Sequence, residues 1–231
     1  MMYLVLASAI GLISAVFALA RRRRTAHELD HAALHKRLGA LEKSYDHTIE
    51  LLGNIIDRNG VDAENHSKRV TAFTIAIARQ LGITADEIRI IARAAFLHDI
   101  GLTGVPEAII RKRGTLDRKE LAIFQEHCFR GYQMIKPIPF LSEAAEIVYS
   151  HHERFDGTGY PRGLKGQDIP LGARIFAVAD TLEAIITDQP ISEACEKIQR
   201  WSGKLFDPEI VQAFLSMPVN IWEELRDELE Y

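Results

Sequence analysis

Five histidines and two aspartates carry the chemistry this sequence can do. His66 stands in ENHSKRV, His98 and Asp99 side by side in LHDIG, and His127 in a long helical stretch. His151 and His152 form a pair before a glycine-rich segment, and Asp180 lies in IFAVAD. Adjacent His and Asp side chains at a helix end project in different directions, which suits two metal ions. The imidazole serves one ion, and the carboxylate is able to bridge both. Mixed imidazole and carboxylate donors fit iron, manganese or zinc better than the all-oxygen shells of calcium or magnesium. A single His-Asp dipeptide arises by chance. Three separate histidines, a double histidine and two aspartates, each beside a helix end or loop, are harder to explain that way.

The elements that position them read as helices joined by short loops. Apolar residues in Val70 to Leu81, Ile88 to Leu97, Leu116 to Ile135, Ala144 to Tyr149, Ala173 to Ile186 and Ile191 to Trp201 follow helical spacing. Thr84 to Glu87 is a capping box, and Gly82 ends the preceding helix. Asp207-Pro208 places a cap before a proline at the first helical position, and Asn220 with Glu223 repeats the box pattern. No stretch alternates at period two over strand length, so the expected fold class is all-α. One segment breaks the rhythm: DGTGYPRGLKGQDIPLG, from Asp156 to Gly172. Loops of that length inside a compact domain are commonly functional or disordered. Its place directly after His151-His152 makes it an ordered loop flanking the site.

Before the domain, residues 1–20 form an unbroken apolar run without a charged side chain, and Arg21, Arg22, Arg23 and Arg24 follow. The run is long enough for a transmembrane helix. Basic residues after it rather than before it argue for an uncleaved anchor over a signal peptide, with the remainder in the cytoplasm. A helical linker is expected over residues 21–56. Its Leu34, Leu38, Leu41, Tyr45, Thr48, Leu52 and Ile55 step alternately by four and three, the spacing of a coiled-coil seam able to form a homodimer. His27, His31 and His35 recur on one face and read as a solvated row. The catalytic domain is then expected over 57–219, with a helical tail at 220–231.

Net charge is −4, and the four arginines leave −8 for the residues after them. A chain so acidic is a poor nonspecific nucleic-acid binder, and DNA is not an expected partner. Cys128 and Cys195 read as free thiols.

The order of the histidines and aspartates, together with HDIG, HHE and DGTGYP, resembles the HD-GYP family of bacterial cyclic di-GMP phosphodiesterases, over about residues 57 to 214. The resemblance implies a helical bundle with a metal site. One metal would be held by His66, His98 and Asp180, another by His127, His151 and His152, with Asp99 bridging and catalytic. Iron or manganese would fill the site, and an extra carboxylate, Asp62, would serve a third ion in some members; Glu64 is its weaker stand-in. Hydroxide from a bridging water, acidified by two cations, would attack phosphorus without a protein nucleophile. Gly159, Tyr160, Pro161 and Arg174 are the expected substrate contacts. The implied location is the bacterial inner membrane, single-pass, with the catalytic domain in the cytoplasm. A diguanylate cyclase is an expected class of protein partner.

Two positions depart from the family pattern. Leu102 follows HDIG where a phosphate-reaching lysine is expected, and Gln189 stands where an arginine is expected. Each lost bond to a charged group costs about 1.5–3 kcal/mol. Arg69, Arg154, Arg174 or Lys165 are candidate replacements. The leading function is therefore a membrane-anchored phosphodiesterase for cyclic di-GMP or a related dinucleotide. The alternatives are a metal-binding docking module with weakened turnover, and an HD phosphohydrolase for another nucleotide.

Overall fold

The computed structural model describes residues 33–57 and 65–229. The apolar run at 1–20, the arginine block, His27, His31, Asp62 and Glu64 lie outside the described residues. Among the described residues, no helix is long and apolar enough to cross a membrane. The chain divides into a unit of residues 1–47 and a unit of residues 48–231.

Among the described residues the secondary structure is helical, apart from one isolated bridge between Ser202 and Phe206. Helix α1 covers residues 33–57. Within the second unit, its Ile49 and Ile56 are buried and Gly53 lies against Phe96, so these last turns belong to the domain core. The expected seam residues Leu34, Leu38, Leu41, Leu52 and Ile55 are all exposed.

Among the described residues nine further α-helices follow: α2 (His66–Gln80), α3 (Ala85–Leu97), α4 (Glu107–Ile110), α5 (Arg118–Ile135), α6 (Ser142–Ser150), α7 (Leu171–Ile186), α8 (Ile191–Arg200), α9 (Pro208–Leu215) and α10 (Asn220–Leu229). Helix α7 is the central one. Its Ala173, Ile175, Phe176, Val178, Ala179 and Leu182 are all buried, so it is covered nearly all round, as expected of a helix in the middle of a bundle. Helix α2 packs on α3 and α7, α5 on α6, and α6 on α3.

The start and stop signals behave as their chemistry requires. Thr84 accepts from the Glu87 backbone and Glu87 reaches back to Thr84, closing the box on α3. Gly82 takes the left-handed conformation after α2. Asp207 accepts from the Glu209 amide with Pro208 in the first turn. Asp117 builds a second box with Glu120, which fixes the start of α5. Helix α2 is capped at a distance: Asn65 gives no side-chain cap, and the buried Asp57 of α1 accepts from the Ser67 amide and hydroxyl instead.

The start of α10 lies one residue earlier than the expected cap at Asn220 implies. Asn220 is itself the first helical residue, and its amide donates to Glu224 one turn on. The tail is not peripheral either. Trp222 is 1% exposed, wedged edge-on against Phe73 and tilted on Phe214, so α10 closes one side of the core. Truncating an aromatic side chain buried this deeply costs about 3–5 kcal/mol.

Candidate metal centre

The candidate ligands are delivered by helix ends and by the interiors of two helices. His66 opens α2, His98 caps α3, His127 lies in α5, and His151 follows α6. Asp180 is in the third turn of α7. The HDIG turn reaches α5 because Gly101 has no side chain: a Cβ there would collide with the His127 carbonyl and lie 2.6 Å from the Gly131 amide. That close approach brings Asp99 to His127.

The result is one cluster with Asp99 at its centre. Asp99 Oδ2 is 3.2 Å from His98 Nε2, while Oδ1 is 3.4 Å from His127 Nε2 and 3.8 Å from His151 Nε2. The ligand atoms of His66, His98 and Asp180 lie within 4.8 Å of one another, as do those of His127, Cys128, His151 and His152. The structure thus brings together His66, His98, Asp99, His127, His151, His152 and Asp180, drawn from five helices and their ends.

Tautomers follow from the outer partners. The Nδ1 atoms of His98, His127 and His151 lie 2.9, 2.7 and 2.6 Å from the carbonyls of Ala95, Phe124 and Val148. A carbonyl only accepts, so each ring carries its proton on Nδ1 and directs an Nε2 lone pair inward. His66 Nδ1 likewise donates to Glu183 Oε2 at 2.9 Å. The inward atoms are then mutually repulsive. His127 Nε2 faces His151 Nε2 at 3.3 Å, both rings are buried, and His98 Nε2 faces a carboxylate oxygen. A cation, either a proton or a metal, relieves that arrangement. Two nitrogens about 2.0–2.1 Å from one tetrahedral ion lie about 3.3–3.4 Å apart, the separation found here. The donor set fits a transition-metal centre.

Charge coupling gives the same picture. Burial alone would lower the His98 pKa, but the Asp99 carboxylate overrides it and raises it to about 10. Asp99, which burial would raise, is held well below the usual carboxylate range by His98. Burial and the neighbouring histidines push His151 well down and His152 down to about 3. Without a metal, a proton at His98 takes the cation's place, while His151 and His152 stay neutral and ready to ligate.

A cavity of about 390 Å³ opens beside the cluster, walled by His66, His98, Asp99, His152, Asp180 and Glu183. Leu102, Phe124, Ala184 and Thr187 complete the wall. Leu102, where a lysine was expected, therefore sits in the cleft itself. Among the described residues, no lysine or arginine lines this cavity. Its charged walls are carboxylates, so an anionic substrate enters favourably only if bound cations reverse the local sign. Gln189 does not line it; that side chain is exposed and accepts from Lys197.

The glycine-rich loop is ordered against the site. The buried Glu153 accepts from the amides of Arg162 and Leu164, fastening the loop behind the double histidine. Gly159 permits the fit, because a Cβ would collide with the Arg154 amide and the Glu153 backbone. The Tyr160 amide donates to the His152 carbonyl at 3.2 Å, and its ring stacks on His152 with centroids 4.8 Å apart. Pro161 follows it in the loop. Arg174 is engaged elsewhere, donating to Asp207 and to the Ile169 carbonyl. Arg69 is also occupied, by Glu183.

Sequence reasoning missed Glu183, Arg69's true role, Glu153 and Cys128. Glu183 is one turn after Asp180, and Arg69 one turn after His66. That matched three-residue spacing on two metal-bearing helices was the available signal. Cys128 beside His127 offered only adjacency.

Comparison with known proteins agrees with this geometry. A family model described as HD domain matches residues 50–210. The chain belongs to the HD-domain family, in its HD-GYP branch. A cyclic di-GMP phosphodiesterase of Thermotoga maritima is 35% identical over 215 residues, covering 85% of this chain and 58% of that protein. The cyclic di-GMP phosphodiesterase response regulator RpfG of Xanthomonas campestris is 34% identical, covering 77% and 49%. A 3'3'-cGAMP-specific phosphodiesterase of Vibrio cholerae is 38% identical, covering 63% and 32%. The chain thus spans about half the length of such relatives. Among solved structures, a cyclic GMP-AMP phosphodiesterase of V. cholerae shares the fold, with a TM-score of 0.62 at 21% identity over 78% of this chain and 53% of that one.

Proposed function

We propose that this chain is a metal-dependent phosphodiesterase that hydrolyses cyclic di-GMP or a related cyclic dinucleotide. The observation that carries the reading is the ring of inward-facing, buried Nε2 lone pairs around Asp99, an arrangement that cations stabilise. Relatives whose names give cyclic di-GMP and cGAMP as substrates support the substrate class.

His66, His98 and Asp180 would hold one ion, His127, His151 and His152 another, and the two oxygens of Asp99 face both sets. Bound divalent ions, which we take to be iron or manganese, would supply Lewis acidity and lower the pKa of water at neutral pH. This chain's residues do the rest. The backbone carbonyls and Glu183 hold the imidazoles of His66, His98, His127 and His151 in their ligating tautomer. Tyr160, stacked on His152, is the proposed substrate contact beside the metal centre, with Gly159 and Pro161 in the same loop. Burial pushes the Tyr160 hydroxyl up, so it stays protonated and able to donate to a phosphate oxygen. Asp62 remains the proposed ligand for any third ion.

Among the described residues no basic side chain lines the cleft, which supports weak substrate affinity, and a docking role with slow turnover is the second reading. Residues 1–20 are proposed to anchor the chain in the bacterial inner membrane with the domain in the cytoplasm. The exposed leucines of α1 support a homodimer through residues 34–55, and a diguanylate cyclase is the proposed partner class.

The test is hydrolysis by the full-length chain loaded with manganese or ferrous iron, using cyclic di-GMP and 3'3'-cGAMP separately. Turnover of either, lost in Asp99→Ala and on chelation, is expected. Full metal loading without turnover of any cyclic dinucleotide would refute the enzyme and select the docking module.

A further inference from the structure

The ion assigned to His127, His151 and His152 has a neighbour that the histidine and aspartate pattern does not include. Cys128 is fully buried, and its Sγ lies 3.5 Å from His127 Nε2. Its ligand atom is within 4.8 Å of those of all three histidines. The other cysteine, Cys195, is in α8 and in neither cluster.

The separations are those of shared ligation. A nitrogen at about 2.0–2.1 Å and a sulfur at about 2.3 Å from one tetrahedral ion lie about 3.5–3.6 Å apart. The Sγ–Nε2 distance matches this, as the 3.3 Å between His127 Nε2 and His151 Nε2 matches two nitrogens on the same ion. A second, independent observation points to a ligand there. The Nε2 atoms of His127 and His151 are buried lone pairs facing each other, because both rings spend their only proton on backbone carbonyls. A thiol donating to His127 Nε2 would satisfy one of the two and leave the other unmet.

We propose that Cys128 is a thiolate ligand of the ion held by His127, His151 and His152, making this position a mixed nitrogen–sulfur site. The inference rests on the metal-centre reading above. On binding, the S–H bond breaks, a metal–sulfur bond forms, and the proton leaves to buffer. Neither partner changes oxidation state. A thiolate makes the two positions unequal. The His66, His98 and Asp180 position carries only nitrogen and oxygen donors, whereas the Cys128 position is biased toward zinc or ferrous iron over manganese.

Cobalt(II) reports the ligand directly. The full-length chain, stripped of metal and titrated with cobalt anaerobically, should develop a sulfur-to-cobalt charge-transfer band in the near ultraviolet. The sequence holds two cysteines, so persistence of the band in Cys195→Ser assigns it to Cys128 without a change at the site. Cys128→Ser should abolish the band, keep the visible cobalt transitions, and weaken one cobalt equivalent by at least about tenfold, the lower end of what even a ligand's hydrogen-bond partner contributes. Visible transitions without a charge-transfer band, or a band lost in Cys195→Ser and kept in Cys128→Ser, would overturn the assignment of Cys128 and leave the metal centre standing. No cobalt uptake at all would overturn both.

Discussion

Removal of Glu183 separates the metal centre from the fold that supports it. One carboxylate oxygen accepts from His66 Nδ1 at 2.9 Å, and the other accepts from both Nε and a terminal nitrogen of Arg69. Glu183 and Arg69 are both buried, at 4% and 9% exposure. In Glu183→Ala the Arg69 guanidinium loses this carboxylate, and removing one partner of a buried pair costs up to about 3–5 kcal/mol. For a domain of this size, about 2–4 °C per kcal/mol translates that into a fall in melting temperature of about 6–20 °C. His66 also loses the acceptor that fixes its proton on Nδ1, and loss of such an outer partner weakens metal binding about 10–100-fold. Glu183→Gln distinguishes the two effects. Its amide oxygen is able to keep Arg69 while its NH₂ faces His66 Nδ1, which drives the ring proton to Nε2 and blocks ligation. Thermal unfolding with and without metal, alongside calorimetric metal titration, reads both. Glu183→Gln should melt closer to the parent than Glu183→Ala, yet lose one of two metal equivalents comparably. An unchanged melting temperature in Glu183→Ala, with both equivalents intact, would refute the reasoning.

Other perturbations follow from the same site. Leu102→Lys places a cation in the cleft wall, its stem lying along apolar surface and its ammonium reaching the cavity. At about 1.5–3 kcal/mol for a charged hydrogen bond, kcat/KM for a cyclic dinucleotide should rise about ten- to a hundredfold. Gln189→Arg, at an exposed position outside the cleft, should change it little, and steady-state kinetics of the two variants decide the matter. The His98 pKa of about 10 lies above the ordinary histidine value, so the stabilisation it reflects is complete below about pH 6.5 and is lost as pH rises through about 10. The melting temperature of the metal-free chain should therefore fall between pH 7 and 10, whereas metal affinity should increase over the same range as the competing proton leaves. Flat profiles in both would contradict it. Gly159→Ala forces the loop off the Glu153–Arg154 backbone, and should lower both melting temperature and turnover, measured together.

Much of this was legible in the sequence because it is written locally. The capping signals at Thr84 and Asp207 satisfy backbone amides within the same turn. The ligands announced themselves by residue type, His66, His98, Asp99, His151 and His152 at helix ends and His127 and Asp180 within helices. What escaped reading is what the chain pairs over distance. Glu183 and His66 are 117 positions apart, and no periodicity relates a carboxylate on α7 to a histidine opening α2. Arg174 looked available for phosphate until the fold set it against Asp207, 33 positions on. Gln189 and Leu102 read as equivalent losses, yet only Leu102 faces the cavity. Asn220 and Glu223 had the right spacing for a box, but the helix had already begun at Asn220, so the side chain served Glu224.

The central claim is that seven side chains from five helices and their ends grip at least two cations about Asp99. Crystals of the chain grown with manganese or iron, measured at the metal absorption edge, test it most directly. The account predicts two anomalous peaks on either side of Asp99, one beside His66, His98 and Asp180 and the other beside His127, His151 and His152. A single peak away from Asp99, or none in crystals of a chain that retains its fold, would contradict it.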